Sequence, residues 1–299
     1  MKREKIFQAF NWRISDIIDN LRKIASQGFT IIQVSPLQGT KQWIGPWWIY
    51  YQPTNFRIGN FLGNENDLRE LCEKANEYGI RIIVDVVFNH VANAGDGLNS
   101  FIPHENVDPS IRNNPNFFHE RRGIENYNDR WQVTHWGINL PDLNTSNEEL
   151  QFIMIRYLHD LLGCGVKGFR FDAAKHIELP DDFDGSNFWP MILSGLKGRD
   201  LFVYGEVIMA DKETVDRYTK YINVGTDGYG SDKNKLILWS FSHDEDLTFN
   251  KLSNLTRDMT INEWSNLLQD NKESHVLFYP RQFDDTWTDN RIREINEKY

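Results

Sequence analysis

The 299-residue sequence predicts an α/β protein, a closed (β/α)8 barrel of the TIM type, and three observations carry that expectation. Short apolar runs of strand length alternate with segments that are apolar along one helical face, the pattern of a parallel sheet covered by helices. No strand is followed by G-x-G-x-x-G or G-x-x-x-x-G-K-[ST], which removes the commonest reason for an open nucleotide-binding sheet. Successive strands begin apolar and end charged, as in a barrel whose chemistry sits on the rim at the C-terminal strand ends. With 40% hydrophobic residues a large core is available.

The elements follow in order. Ser15 is the expected cap of a first helix, with Ile17, Ile18, Leu21, Ile24 and Ala25 inward and Gly28 as its stop. FTIIQVSP (29–36) is then a strand. The unit recurs with Asn66 as cap, Leu68, Leu71, Cys72 and Ala75 inward, Gly79 as stop and IRIIVDVVFNH (80–90) as strand. A third copy runs from Ser146 through Leu150, Met154, Tyr157 and Leu161 to Gly163, before VKGFRFDAAKH (166–176). LFVYGEVI (201–208), LILWSFSHD (236–244) and HVLFYP (275–280) read as later strands. ETVDRYTKYI and NEWSNLLQ read as helices between them. Residues 92–145 lack periodicity and far exceed the ~12–15 residues of an ordinary loop. They are expected to form a small inserted domain after strand 3, with 1–91 and 146–299 making the barrel.

Composition narrows the function. Lys and Arg total 33 against 43 Asp and Glu, a net charge of −10 that disfavours nucleic acid and anionic membranes. No apolar run approaches the ~20 residues of a membrane span. The start shows no apolar signal core, so a cytoplasmic location is expected. Cys72 and Cys164 lack metal spacing and read as reduced core thiols.

The strand ends carry Asp85, Asn89 and His90, then Arg170, Asp172, Lys175 and His176, then Glu206, then His243 and Asp244. Any one of these could cap a helix or join a structural ion pair. Four strands delivering carboxylates and histidines to one rim point to chemistry instead. Several carboxylates without a Ser/His or Cys/His pair suit acetal cleavage: one carboxyl protonates the departing oxygen while another attacks or stabilises the cationic carbon. The loop GPWWIYYQP (45–53) presents Trp47, Trp48 and Tyr51, rings on which sugar C–H faces pack.

The quartet DVVFNH (85–90), GFRFDAAKH (168–176), GEVI (205–208) and FSHD (241–244) resembles the four signature regions of the α-amylase family of retaining glycoside hydrolases. IFQAFNW, WW-x-x-YQP and IENYNDRWQV are similar to segments of its animal-type members, in the same order. The resemblance implies Asp172 as nucleophile, Glu206 as general acid/base, Asp244 as transition-state stabiliser and Arg170 as the arginine that positions the nucleophile. It implies sugar binding by His90 and His243, by Lys175 and His176 on the aglycone side, and by Trp47, Trp48, Tyr51 and Gln52 on the glycone side. It further implies a calcium ion held by Asn89, a carbonyl near Thr134, Asp142 and the His176 carbonyl.

Departures from the family pattern shape the expectation. Ser242 stands where chloride-dependent relatives have Asn, so no chloride is expected. The interval from Glu206 to Asp244 is too short for helix, strand and helix, which predicts a sixth helix that is missing or reduced to a turn. The residues after Asp244 fit helix, strand and helix, and no β-sandwich is expected among them. The implied substrate is an α-glucan or maltooligosaccharide cleaved at α-glucosidic, α-1,4 bonds. The alternatives are an α-glucosidase or transglycosylase on the same fold, or a non-catalytic carbohydrate-binding barrel.

Overall fold

The computed structural model describes residues 3–281 and 284–299. Eight parallel strands close into a barrel: β1 (Lys5–Ala9), β2 (Ile31–Val34), then β5 (Arg81–Val86), with β3 (Gln38–Thr40) and β4 (Pro53–Ile58) forming a separate antiparallel pair between them. β6 (Gly168–Phe171), β7 (Phe202–Glu206), β8 (Asn223–Gly225), β9 (Leu236–Trp239) and β10 (His275–Phe278) complete it, and β10 pairs with β1. Both faces of these strands are covered. All four residues of β2, β6 and β10 are buried, because alternate side chains point into the barrel and out against helices.

The helices supply the outer layer. α1 (Ile14–Ser26) buries Ile14, Ile17, Leu21 and Ile24, and α2 (Glu65–Glu77) buries Leu68, Leu71, Cys72 and Ala75, the faces that the periodicity indicates. Their caps differ from the expected residues. Arg13 precedes α1, which puts Ser15 inside the first turn. Asn64 caps α2 in a reciprocal capping box with Asp67, two residues ahead of Asn66. In the insertion lie two short helices, α3 (Pro109–Arg112) and α4 (Arg130–His135). α5 (Glu148–Gly163) is capped by Asn147 rather than Ser146 and runs through Gly163, with the left-handed turn at Gly165, φ 99°.

α6 (Phe188–Gly195), α7 (Lys212–Tyr218), α8 (Arg257–Asp270) and α9 (Asn290–Lys298) follow. Between β8 and β9 only a single 3-10 turn, Lys233–Lys235, stands where a sixth barrel helix belongs. The segment after β5 is held by bridges at its edges, His90 with Asp142 and Phe118 with Leu143, rather than by a sheet of its own. β6 begins at a close approach. A Cβ on Gly168 would lie 1.9 Å from the Phe202 carbonyl oxygen, so a side chain there would push β7 away.

Candidate active site

Registry builds the site. β5 pairs Asp85 with Arg170, and β6 pairs Arg170 with Tyr204 and Phe171 with Gly205. Asp172 and Glu206 are the next residues along their strands and therefore emerge at one height on neighbouring strands. Strands lie ~4.8 Å apart, so the two carboxyls converge. Arg170 joins them. Its Nη1 donates to Asp85 Oδ2 at 2.6 Å and to Asp172 Oδ1 at 2.8 Å, and its Nη2 donates to Glu206 Oε1. Tyr51 Oη donates to Asp85 Oδ2 at 3.0 Å. One buried cation thus faces three carboxylates.

The electrostatics follow from that count. Burial raises the affinity of Glu206 for a proton, Arg170 opposes this, and the negative charges of Asp172 and Asp244 add to the rise. Burial also raises Asp172, with Arg170 pulling against it through charge and hydrogen bonding. Asp85, fully enclosed, is pushed up to about 7 by desolvation against Arg170. His90 is lowered to about 4 and His176 to about 3, both by desolvation, so each is a neutral imidazole near pH 7.

An aromatic wall lies beside the carboxylates. Phe10 stacks on His243 at 4.3 Å between ring centroids, and Tyr51 stacks on His243 at 5.9 Å. Trp47 meets the same group, 5.9 Å from both Phe10 and His243. Trp48 is different: it is 38% exposed, with Lys41 Nζ 5.0 Å from its ring. The sequence-based reading treats the tryptophans as a pair in a loop. They lie on a short 3-10 turn, Trp47–Tyr51, which turns one ring to the wall and the other to solvent. Gln52 Oε1 is enclosed without a hydrogen-bond partner among the described residues. His90 Nε2 bonds the Tyr51 carbonyl at 2.9 Å.

The loop after β6 is strained. Ala173, directly after Asp172, has φ 47°, an unfavourable value for a residue with a Cβ. Its N–H donates to Glu206 Oε2 at 3.2 Å, so the strain aims a backbone donor at the site. Lys175 is buried and donates to the Met209 carbonyl at 3.1 Å, and His176 Nδ1 bonds the Val133 carbonyl at 2.8 Å. Asp244 is the most open of the rim carboxylates, with its Oδ1 3.8 Å from His243 Nε2.

A model of the alpha-amylase catalytic domain matches residues 13–278. The chain belongs to that family. The alpha-amylase of Clostridium acetobutylicum is 34% identical over 98% of this chain and 43% of its own length. The chain spans less than half the length of the curated relatives it matches. Among solved structures, an alpha-amylase from Geobacillus thermoleovorans complexed with acarbose aligns with TM-score 0.76 at 20% identity, over 98% of this chain and 77% of that one. A cyclomaltodextrin glucanotransferase aligns with TM-score 0.78 at 17% identity, over 100% and 80%. These likenesses are of fold.

In this alpha-amylase-family chain the four residues named for calcium fall into two contacting pairs. Asn89 Nδ2 donates to Asp142 Oδ1 at 3.2 Å, and His176 reaches α4 one residue before Thr134. The Thr134 carbonyl belongs to the last turn of α4, where carbonyls lack intrahelical partners. These oxygens fit a hard cation in kind. One occupant is unforeseen: His119 Nδ1 lies 2.7 Å from Asp142 Oδ2. Burial alone would lower His119, yet the carboxylates of Asp142 and Glu178 outweigh it and lift the imidazole to about 9. Asp142 is itself pushed up to about 7 by burial.

In the sequence Asp85 stands on the rim without a role, and Phe10, Gln8, His119 and Glu178 are not marked out as site residues. Gln8 Nε2 lies 3.4 Å from His243 Nδ1 across the barrel mouth. β1 ends with Gln8 and Ala9, a mild polar signal that the other strand ends overshadow. His119 sits in the aperiodic insertion, where spacing carries no information.

Proposed function

We propose that the chain is a retaining glycoside hydrolase acting on α-glucosidic, α-1,4 bonds of α-glucans or maltooligosaccharides. The observation that carries this reading is the shared guanidinium: Arg170 holds Asp172 and Glu206 together at one height on β6 and β7. Carboxyls at one height on strands ~4.8 Å apart fall near the ~5–5.5 Å of retaining enzymes rather than the ~6.5–9.5 Å that admits a water, which favours double displacement.

The steps follow from the donors. Arg170 occupies Asp172 Oδ1, which leaves Oδ2 to attack the anomeric carbon. Glu206, its proton affinity raised by burial, gives that proton to the departing glycosidic oxygen, and the C–O bond breaks as the Asp172 ester forms. Glu206, now a carboxylate, takes a proton from water. That water attacks the same carbon, releases Asp172, and restores the α configuration. Before substrate enters, both Glu206 oxygens are engaged, by Arg170 and by the Ala173 N–H, so the side chain must leave this resting contact to reach the glycosidic oxygen. Asp244, beside His243, is the transition-state stabiliser in this reading, a third anion that holds sugar hydroxyls. Neutral His90 and His243 suit the same task.

Calcium belongs to this proposal through Asn89, the Thr134 carbonyl, Asp142 and the His176 carbonyl. Held there, it would attach the insertion to the barrel. The deciding experiment is reducing-sugar release from soluble starch by the wild type and by Glu206→Gln. Release by the wild type alone supports the reading. Sugar binding without release in either protein would make the chain a binding barrel, and products longer than the substrate would make it a transglycosylase.

A further inference from the structure

The insertion and the loop after β6 meet at a second cluster that the sugar chemistry does not use. We propose that His119, His135 and Glu178 form a binding site for a divalent transition ion of the zinc class. Each offers one ligand atom, and these atoms lie within 4.8 Å of one another. A tetrahedral ion with bonds of ~2.0–2.1 Å sets its donors ~3.3–3.4 Å apart. His119 Nε2 and Glu178 Oε1 are already 3.3 Å apart, so only His135 has to close in.

Each ligand is held from behind. Asp142 accepts from His119 Nδ1 at 2.7 Å, which turns Nε2 toward the cluster. His135 Nδ1 lies 3.1 Å from the Trp131 carbonyl, and its ring stacks on Trp131 at 4.9 Å with planes 12° apart, leaving Nε2 as the free nitrogen. Thr145 Oγ1 donates to Glu178 Oε2. Glu178 is 1% exposed, and its Oε1 faces His119 Nε2 at 3.3 Å without a well-aligned hydrogen bond among the described residues. Partners behind the ligands that fix tautomer and orientation are the mark of metal-binding histidines.

Two imidazoles and one carboxylate suit zinc and its neighbours, whereas calcium takes oxygen almost alone. Three protein ligands leave a fourth position for water. A competing account needs no metal: His119 protonated on both nitrogens and paired with Asp142 and Glu178. That account gives no reason for a second imidazole whose ring centroid lies 4.7 Å from the first. In the metal-bound form the ion replaces the Nε2 proton, and Asp142 turns one oxygen to His119 and the other to Asn89. The ion ties His119 and His135 of the insertion to Glu178 of the barrel.

The test is calorimetric titration of zinc chloride into the chelator-stripped full chain, with cobalt absorption as a second readout. The expected result is one zinc per chain, a higher melting temperature with zinc, and a tetrahedral cobalt spectrum. His135→Phe keeps a ring on Trp131 and takes no part in the carboxylate pairs. It should weaken zinc binding at least tenfold while the metal-free melting temperature stays near that of the wild type. His135→Gln serves if the first variant does not fold. Absence of zinc binding in the wild type overturns the proposal. So does equal affinity in wild type and variant, or full displacement of zinc by excess calcium. No sugar enters the measurement, so its failure and failure of the glycosidase reading are separate results.

Discussion

Arg170 on β6 and Asp172 just past its end, two residues apart, are joined by a 2.8 Å hydrogen bond, and the same guanidinium also holds Asp85 and Glu206. Side chains two apart on a strand share a face. Arg170 therefore points into the barrel beneath the residue it supports and is shut away from water with it. Removing the cation would leave three clustered carboxylates without a counter-charge. Arg170→Leu is expected to destabilise the fold by ~3–5 kcal/mol, the usual cost of breaking a buried charge pair. Urea unfolding measures it, and a change below ~1 kcal/mol would show that the carboxylates are protonated or solvated instead.

Glu206→Gln keeps shape and removes the proton donor. Turnover on starch should fall by at least the ~10²–10⁴ of general acid catalysis, with an unchanged circular dichroism spectrum. Asp172→Asn should fall by several orders of magnitude. Wild-type turnover in either purified variant contradicts the assignment.

The pH profile carries a sign. Burial first, and then Asp172 and Asp244, raise the Glu206 pKa above the ordinary carboxyl value of 4.5. The acid form is lost as pH rises through that raised value. The alkaline limb of kcat/KM is therefore expected clearly above pH 4.5, and in Glu206→Gln that limb should vanish from the residual activity. A limb at the ordinary carboxyl pKa would mean that the site admits water freely.

Trp48 and Trp47 should separate on mutation. Trp48→Ala removes an exposed ring, so stability is expected to change by only ~0.5 kcal/mol, while KM rises several-fold for long glucans and little for short activated substrates. Trp47→Ala takes a ring from the wall around His243 and should lower stability and activity together. Identical behaviour of the two variants would contradict the division that the 3-10 turn creates.

If the folded chain alone binds calcium, the ion should stabilise it by mass action, by ~2.7 kcal/mol at 100 times Kd, and so raise the melting temperature. Asn89→Ala should remove the response. An unchanged melting temperature with chelator and with added calcium would leave the cation of Asp142 as His119 alone.

The first product should be the α-anomer. NMR within the first turnovers reads it directly, and a β-anomer would require a water-mediated single displacement.

The barrel, and the strand ends that line its rim, were legible in the residue pattern. Strands apolar on both faces and helices apolar on one leave few ways to bury their surfaces, and strand ends such as Asp172 and Glu206 are brought together by parallel register alone. The missing sixth helix was legible for the same reason, as a count of residues between two strands. Helix caps were less legible, because Asn64 and Asn66 or Ser146 and Asn147 offer the same chemistry to the first turn and only backbone direction chooses. The tertiary structure decided what no period encodes: that one guanidinium serves three carboxylates, that adjacent tryptophans face different ways, and that His119 meets Asp142 and Glu178. Those contacts depend on where an aperiodic insertion comes to rest against the barrel, a position set by many small packing and polar contacts that no local pattern records.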